Sequence, residues 1–97
     1  MEKARLKTTR YDSADYLRNK KDIAAYLDAA LEDGDPGLIR HALNVIVRAR
    51  GIAQIARDSG IVRETLSQVF AETGKPKFTT VLKVVHALGL RLCTRPA

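Results

Sequence analysis

Five neighbouring residues could contact the edges of DNA bases if they lay on one face of a helix. They are Val62, Arg63, Glu64, Ser67 and Gln68. The Arg63 guanidinium matches guanine O6 and N7, and the Gln68 amide matches adenine N6 and N7. Glu64 could accept a hydrogen bond from cytosine N4, and Ser67 suits either role. The alternative interpretation is an ordinary solvated helix face.

A second set of residues could bind DNA phosphates, which need hydrogen-bond donors rather than sequence-reading side chains. Gln54 lies near the start of a predicted short helix, where backbone N–H groups also point outward. Lys75 and Lys77 flank Pro76 in a loop that cannot be buried cheaply, so their charges are available to a phosphate strand. Each of these side chains could equally be a solvated surface group.

Both sets depend on a corner between two short helices. The motif spans residues 53–71, with helices predicted over residues 53–59 and 62–72. Ala56 is small enough for the helices to approach closely, and Gly60 accepts the positive φ of the turn. Leu66 and Val69 anchor the second helix on a core, so the helical period turns the base-contact candidates outward together. This pattern is typical of a helix-turn-helix, although plain corners of helical bundles share the spacing.

Apolar residues at helical spacing predict three further helices around this corner. The first follows residues 23–31, the second begins after an Asp35 cap with Pro36 in its first position, and the third begins at Phe78. They end at Gly34, Gly51 and Gly89. The core is predicted to contain Ile23, Leu27, Leu43, Ile46, Ile55, Ala56, Leu66, Val69, Val81, Leu82 and Leu88.

Length and charge agree with one small basic domain. The chain has 97 residues, with 17 Lys and Arg against 11 Asp and Glu and a net charge of +6, which favours polyanionic partners. We expect a flexible basic arm over residues 1–11 and a single all-α domain of five to six helices over residues 12–97. The sequence pattern also allows a helical turn near Tyr16 and a short strand at residues 90–94. With no secretory signal and no membrane-spanning run, a cytoplasmic location without a membrane partner is expected.

Nothing in the sequence has the spacing of a catalytic or metal site. His41, His86 and Cys93 have no flanking partners, and neither paired carboxylates nor a glycine-rich phosphate loop occurs. We therefore expect no enzyme, no cofactor and no metal.

Several stretches of the chain resemble the antitoxins known as addiction module antidote proteins, and the corner resembles lambda-repressor-like, Cro/C1-type DNA-binding domains. The stretches are residues 11–17, Ile23 with residues 26–27, residues 35–36 with residues 42–43, residues 55–60, residues 80–85 and residues 87–90. The resemblance covers about residues 9–93. It implies a HigA-like antitoxin that neutralises a toxin of the RelE, ParE or HigB kind and binds operator DNA to repress its own operon.

The distribution of charge fits two different partners. Residues 22–35 contain five Asp and Glu and no Lys or Arg, whereas residues 36–97 carry a net charge of +7. The basic part would attract DNA, and the acidic stretch would suit a basic toxin. Candidate toxin contacts are Tyr16, Asp22, Asp28 and Glu32. Acids near helix caps are also common without any partner.

A homodimer is expected because one recognition helix contacts few base pairs, whereas a dimer places two of them about 34 Å apart. The last helix, with Leu90 and Leu92, is the predicted interface. Two alternatives remain open at this stage. One is a stand-alone Cro/C1-type regulator without a toxin, and the other is a helical protein-interaction module that keeps the corner only as a scaffold.

Overall fold

Five helices follow one another in residues 19–97, the part of the chain that the computed structural model describes. They are α1 (Lys20–Asp33), α2 (Pro36–Arg50), α3 (Ile52–Ser59), α4 (Arg63–Val69) and α5 (Phe78–Ala87). The predicted all-α class is confirmed over this range. The arm predicted for residues 1–11 and the helical turn near Tyr16 lie outside the described residues.

The short strand predicted at residues 90–94 is wrong. Residues 90–97 adopt neither helix nor strand. A strand needs a neighbour to pair its backbone N–H and C=O groups, and the described residues contain no second strand. Leu90 is half-buried and packs against the core, whereas Leu92 is exposed.

Side chains next to the first two helices determine where these helices begin. The Asn19 side-chain oxygen accepts a hydrogen bond from the Asp22 backbone N–H at 2.9 Å. Asp35 accepts from the Leu38 N–H at the same distance, and Pro36 follows it in the first helical position. The predicted Asp35 cap is therefore present, and Asn19 caps α1.

The core lies where α2, α3 and α5 meet, with α1 packed on α2. Seven of the predicted core residues are buried: Ile23, Leu27, Leu43, Ile46, Ile55, Leu66 and Leu88. Four others are only half-buried: Ala56, Val69 and Val81, which pack against the core, and Leu82, which is not among the residues packed on it. Phe70, Val84 and Val85 were not predicted and are almost completely buried. The buried face of α5 is therefore centred on Val84 and Val85 rather than on Leu82.

Among the described residues, no helix has the length and apolar character needed to cross a membrane.

Candidate nucleic-acid interface

The corner that carries the predicted DNA contacts consists of α3, a three-residue turn and α4. Gly60 opens the turn with φ = 78°, a left-handed conformation that strains residues with a Cβ. Its N–H donates to the Ala56 carbonyl at 2.9 Å. The Ser59 hydroxyl accepts from the Ile61 N–H at 3.2 Å, which ties the turn to the end of α3. The turn thus begins at the glycine that the sequence indicated.

The second helix of the corner is shorter than predicted. It was expected over residues 62–72, but α4 ends at Val69. The chain then folds back so closely that a Cβ at Gly74 would collide with the carbonyl oxygens of Gln68 and Val69. Phe70, the first residue past the helix, turns into the core and is 1% exposed. The helix α4 ends early because this ring is buried in the core and because the following chain returns so close to the helix.

The predicted base-contact residues share the outward face of this short helix. Leu66 is 1% exposed and anchors α4 on the core, as expected. Val62, Arg63, Glu64, Ser67 and Gln68 are all exposed. Four of them line one shallow depression together with Ile52; the four are Arg63, Glu64, Ser67 and Gln68. Their side chains are therefore close together and accessible, and their contact with bases stays a prediction.

Gln54, the predicted phosphate contact on α3, is part of a side-chain network. Its amide nitrogen donates to the Asp58 carboxylate at 2.8 Å, and its amide oxygen accepts from the Arg57 guanidinium at 2.6 Å. All three side chains are exposed. The Gln54 amide nitrogen has a second N–H besides the one bonded to Asp58, and this second donor is the one that a phosphate contact would use.

The two lysines of the loop after α4 are exposed, as predicted. Lys75 lies in the irregular segment that follows the turn, and Lys77 is the N-terminal flanking residue of α5. Pro76 between them is half-buried, so the loop is held against the body while both ammonium groups remain in solvent. Their binding to phosphates stays a prediction.

Sequence reasoning missed Arg40, which connects α2 to the end of α4. Its guanidinium donates to the Phe70 carbonyl at 3.3 Å and to the Ala71 carbonyl at 3.0 Å. A helix leaves its last carbonyls without partners and carries partial negative charge there, so a cation at this end is favourable. Arg40 therefore helps to hold α4 in place. Because its acceptors are backbone carbonyls about thirty residues away, no local pattern could have revealed this role.

A family model described as probable addiction module antidote protein matches residues 7–96. The chain belongs to the probable addiction module antidote family. An uncharacterized protein of Haemophilus influenzae is 44% identical over 81 residues, which cover 84% of each chain. No solved structure matches the chain. Membership confirms the predicted resemblance to addiction module antidotes, and it implies a toxin as partner.

The candidate toxin contacts of this antidote lie on α1, apart from Tyr16, which is outside the described residues. Asp22 is half-buried at the start of the helix, whereas Asp28 and Glu32 are exposed. Asp28 forms an ion pair with Arg95 of the C-terminal segment at 3.5 Å. Because both side chains are more than half exposed, this pair contributes little to stability. It therefore leaves the acidic surface of α1 accessible to a partner.

No three His, Cys, Asp or Glu side chains within residues 19–97 are close enough together to hold a metal ion. His41, His86 and Cys93 are all exposed.

Proposed function

We propose that the chain is the antitoxin of a type II toxin–antitoxin module. In this proposal it neutralises a toxin of the RelE, ParE or HigB kind and represses transcription by binding operator DNA as a homodimer. Membership of the antidote family supports the first activity. The observation that carries the second is the cluster of exposed hydrogen-bonding side chains on α4, above a buried Leu66 anchor.

The corner of α3 and α4 acts as a helix-turn-helix of the lambda-repressor type, with α4 in the major groove. Arg63 and Gln68 would contact the edges of purine bases. Glu64 and Ser67 would contact neighbouring bases, and Val62 would contact the floor of the groove at the start of the helix. Gln54, Lys75 and Lys77 would contact phosphates. The net charge of +7 over residues 36–97 would draw this part of the molecule to DNA.

A homodimer fits the small size of the reading element. With seven residues, α4 reaches only a few base pairs. Two copies about 34 Å apart would read two half-sites on one side of the duplex.

The toxin is proposed to be basic and to approach the acidic stretch of residues 22–35. Asp28 and Glu32 project from this stretch into solvent. Opposite charges would accelerate the encounter more than they add to the final affinity.

Gel shifts on the DNA upstream of the protein's own gene test the repressor activity. Arg63→Ala should relax preference at one base pair and weaken binding by about 1–3 kcal/mol. The matched control is Arg91→Ala, which removes the same charge from the exposed C-terminal segment and should bind like the parent. If the folded Arg63→Ala protein also bound like the parent, α4 would be a scaffold and the DNA-reading face would be wrong.

Co-expression with the product of the adjacent gene tests the antitoxin activity. Growth arrest by that product should be relieved by the parent protein. A product whose toxicity is unaffected would favour a stand-alone regulator instead.

A further inference from the structure

An apolar groove of about 460 Å³ runs between α1, α2 and α5. Its walls include Leu27, Leu31, Ile39, Phe78, Val81 and Leu92. Three of these are large apolar side chains that solvent reaches: Leu31 is 41% exposed, Phe78 67% and Leu92 36%. Three of the five exposed large apolar side chains of the described residues are thus gathered in one groove, and the other two, Leu38 and Val62, lie outside it.

Helix periodicity makes the exposure of two of these residues unexpected. Leu31 belongs to the apolar stripe of α1, and Phe78 begins the apolar stripe of α5. Most other members of each stripe pack on or into the core, whereas Leu31 and Phe78 remain exposed in the groove. The apolar stripes of α1 and α5 therefore extend beyond the area that the core of the described residues covers. Contiguous apolar surface of this kind on a soluble protein marks an interaction site.

The exposed surface of α1 beside the groove is acidic, although none of its acids lines the groove itself. Asp28, Glu32 and Asp33 are exposed on the same helix as Leu31, and Asp35 directly precedes the groove residue Pro36. The two charged residues that line the groove are basic: Arg40, whose guanidinium is bonded to carbonyls after α4, and the exposed Lys75. An occupant with apolar side chains, with Lys or Arg facing α1 and an acid facing Lys75, would match this combination of surfaces.

We propose that this groove is the docking site for the toxin, which inserts apolar side chains between Leu31 and Phe78 and places basic residues against the acids of α1. The inference rests on the proposed antitoxin function and assigns it a surface. Burial of the exposed apolar side chains supplies affinity. The acids of α1 increase the rate of association and orient the toxin.

Two matched substitutions test the groove, with the product of the adjacent gene as the toxin probe. Leu31→Lys places a charge in the groove, whereas Leu38→Lys places the same charge at a residue that is 40% exposed and does not line it. Leu31→Lys should weaken toxin binding about ten-fold or more, since it removes a buried leucine contact and adds repulsion to a basic partner. Leu38→Lys should leave toxin affinity unchanged, and both variants should keep the parent's helical circular dichroism and operator gel shift.

A photocrosslink identifies the occupant directly. Phe78→benzoylphenylalanine places a reactive ketone at the most exposed of the large apolar side chains in the groove, and irradiation of the purified complex should join it to the toxin. An adduct with a second copy, or with residues 1–18 of the same chain, would overturn the proposal. So would equal toxin affinity of Leu31→Lys and the parent. If the parent itself failed to bind or neutralise the probe, the proposed antitoxin function would fail as well, which distinguishes the two outcomes.

Discussion

At the scale of single residues, the chemistry of the candidate interface depends on side chains in two different situations. Arg63 and Gln68 are free in solvent and suited to bases, whereas the amide of Gln54 is already bonded to Asp58 and Arg57. Arg40 instead donates hydrogen bonds to the carbonyls that follow α4. Substitution of the base-contact residues Arg63 and Gln68 should therefore change DNA binding in a different way from substitution of Arg40.

Lys77 is expected to contribute charge rather than sequence preference. Lys77→Gln should weaken binding to all DNA sequences alike and lower the slope of log affinity against log salt by about one. Gel shifts over a salt series measure this slope. Lys83→Gln removes the same charge from an exposed position on α5 and serves as the control. An unchanged slope for Lys77→Gln would exclude this lysine from the phosphate contacts.

Arg40 is expected to affect both stability and DNA binding. Arg40→Ala removes the guanidinium donor from the Phe70 carbonyl and one of the two donors of the Ala71 carbonyl, which keeps the Gly74 N–H at 2.8 Å. It should lower the free energy of unfolding by about 1 kcal/mol. Urea denaturation measures the loss. Operator affinity should fall while the salt slope stays that of the parent, because Arg40 positions α4 without touching phosphate. Arg40→Lys should recover part of both, since an ammonium can still donate to one carbonyl. A reduced salt slope would instead indicate direct phosphate contact.

At the scale of elements, neighbouring residues determine where the two longest helices, α1 and α2, begin. Asp35 and Pro36 begin α2, and Asn19 begins α1. The end of α4 is different in kind, because it coincides with the burial of Phe70 and the close return of the chain at Gly74.

Asp35 tests the contribution of local capping. Asp35→Ala removes the acceptor of the Leu38 N–H and should destabilise the protein by about 1 kcal/mol. Glu32→Ala removes the same charge three residues earlier, from an exposed position that caps no helix, and should change the stability by less than about 0.5 kcal/mol. Thermal and urea denaturation of both variants give the comparison. Equal stabilities would mean that tertiary packing alone fixes the start of α2.

At the scale of the whole molecule, the separation of charge agrees with two partners on two surfaces. The reading face of α4 lines one depression, and the apolar groove lies between α1, α2 and α5. None of the four reading residues in that depression lines the groove. The one predicted phosphate contact that does line the groove is Lys75, so the loop after α4 lies beside both surfaces.

The homodimer is a prediction at this scale. A domain of this size reads too little DNA alone, so sedimentation equilibrium at about 50 μM should give twice the monomer mass. A monomer at every concentration up to that value would contradict the dimer. Leu92, the exposed member of the interface predicted from the sequence, also lines the groove assigned to the toxin. Leu92→Glu should therefore weaken toxin binding and leave the dimer intact, whereas loss of the dimer would indicate that a second copy occupies the groove.

Much of the framework followed from the sequence alone. The Asp35 cap, the Gly60 turn and the outward set on α4 depend on residues within one or two helical turns of each other, so local spacing was sufficient to predict where they lie. The class of fold and the family could be predicted for the same reason, since the quoted stretches are local patterns that recur in relatives.

Only the tertiary structure decided which apolar and polar groups meet across the chain. Phe70 is buried and Phe78 is exposed although both are phenylalanines at the edge of a helix, because distant helices cover one and not the other. Arg40 reaches carbonyls about thirty residues away, and residues 90–94 lack a partner strand in the described part of the chain. Periodicity indicates that a residue is apolar on one face of its helix. Whether that face is covered depends on neighbours that no local pattern contains.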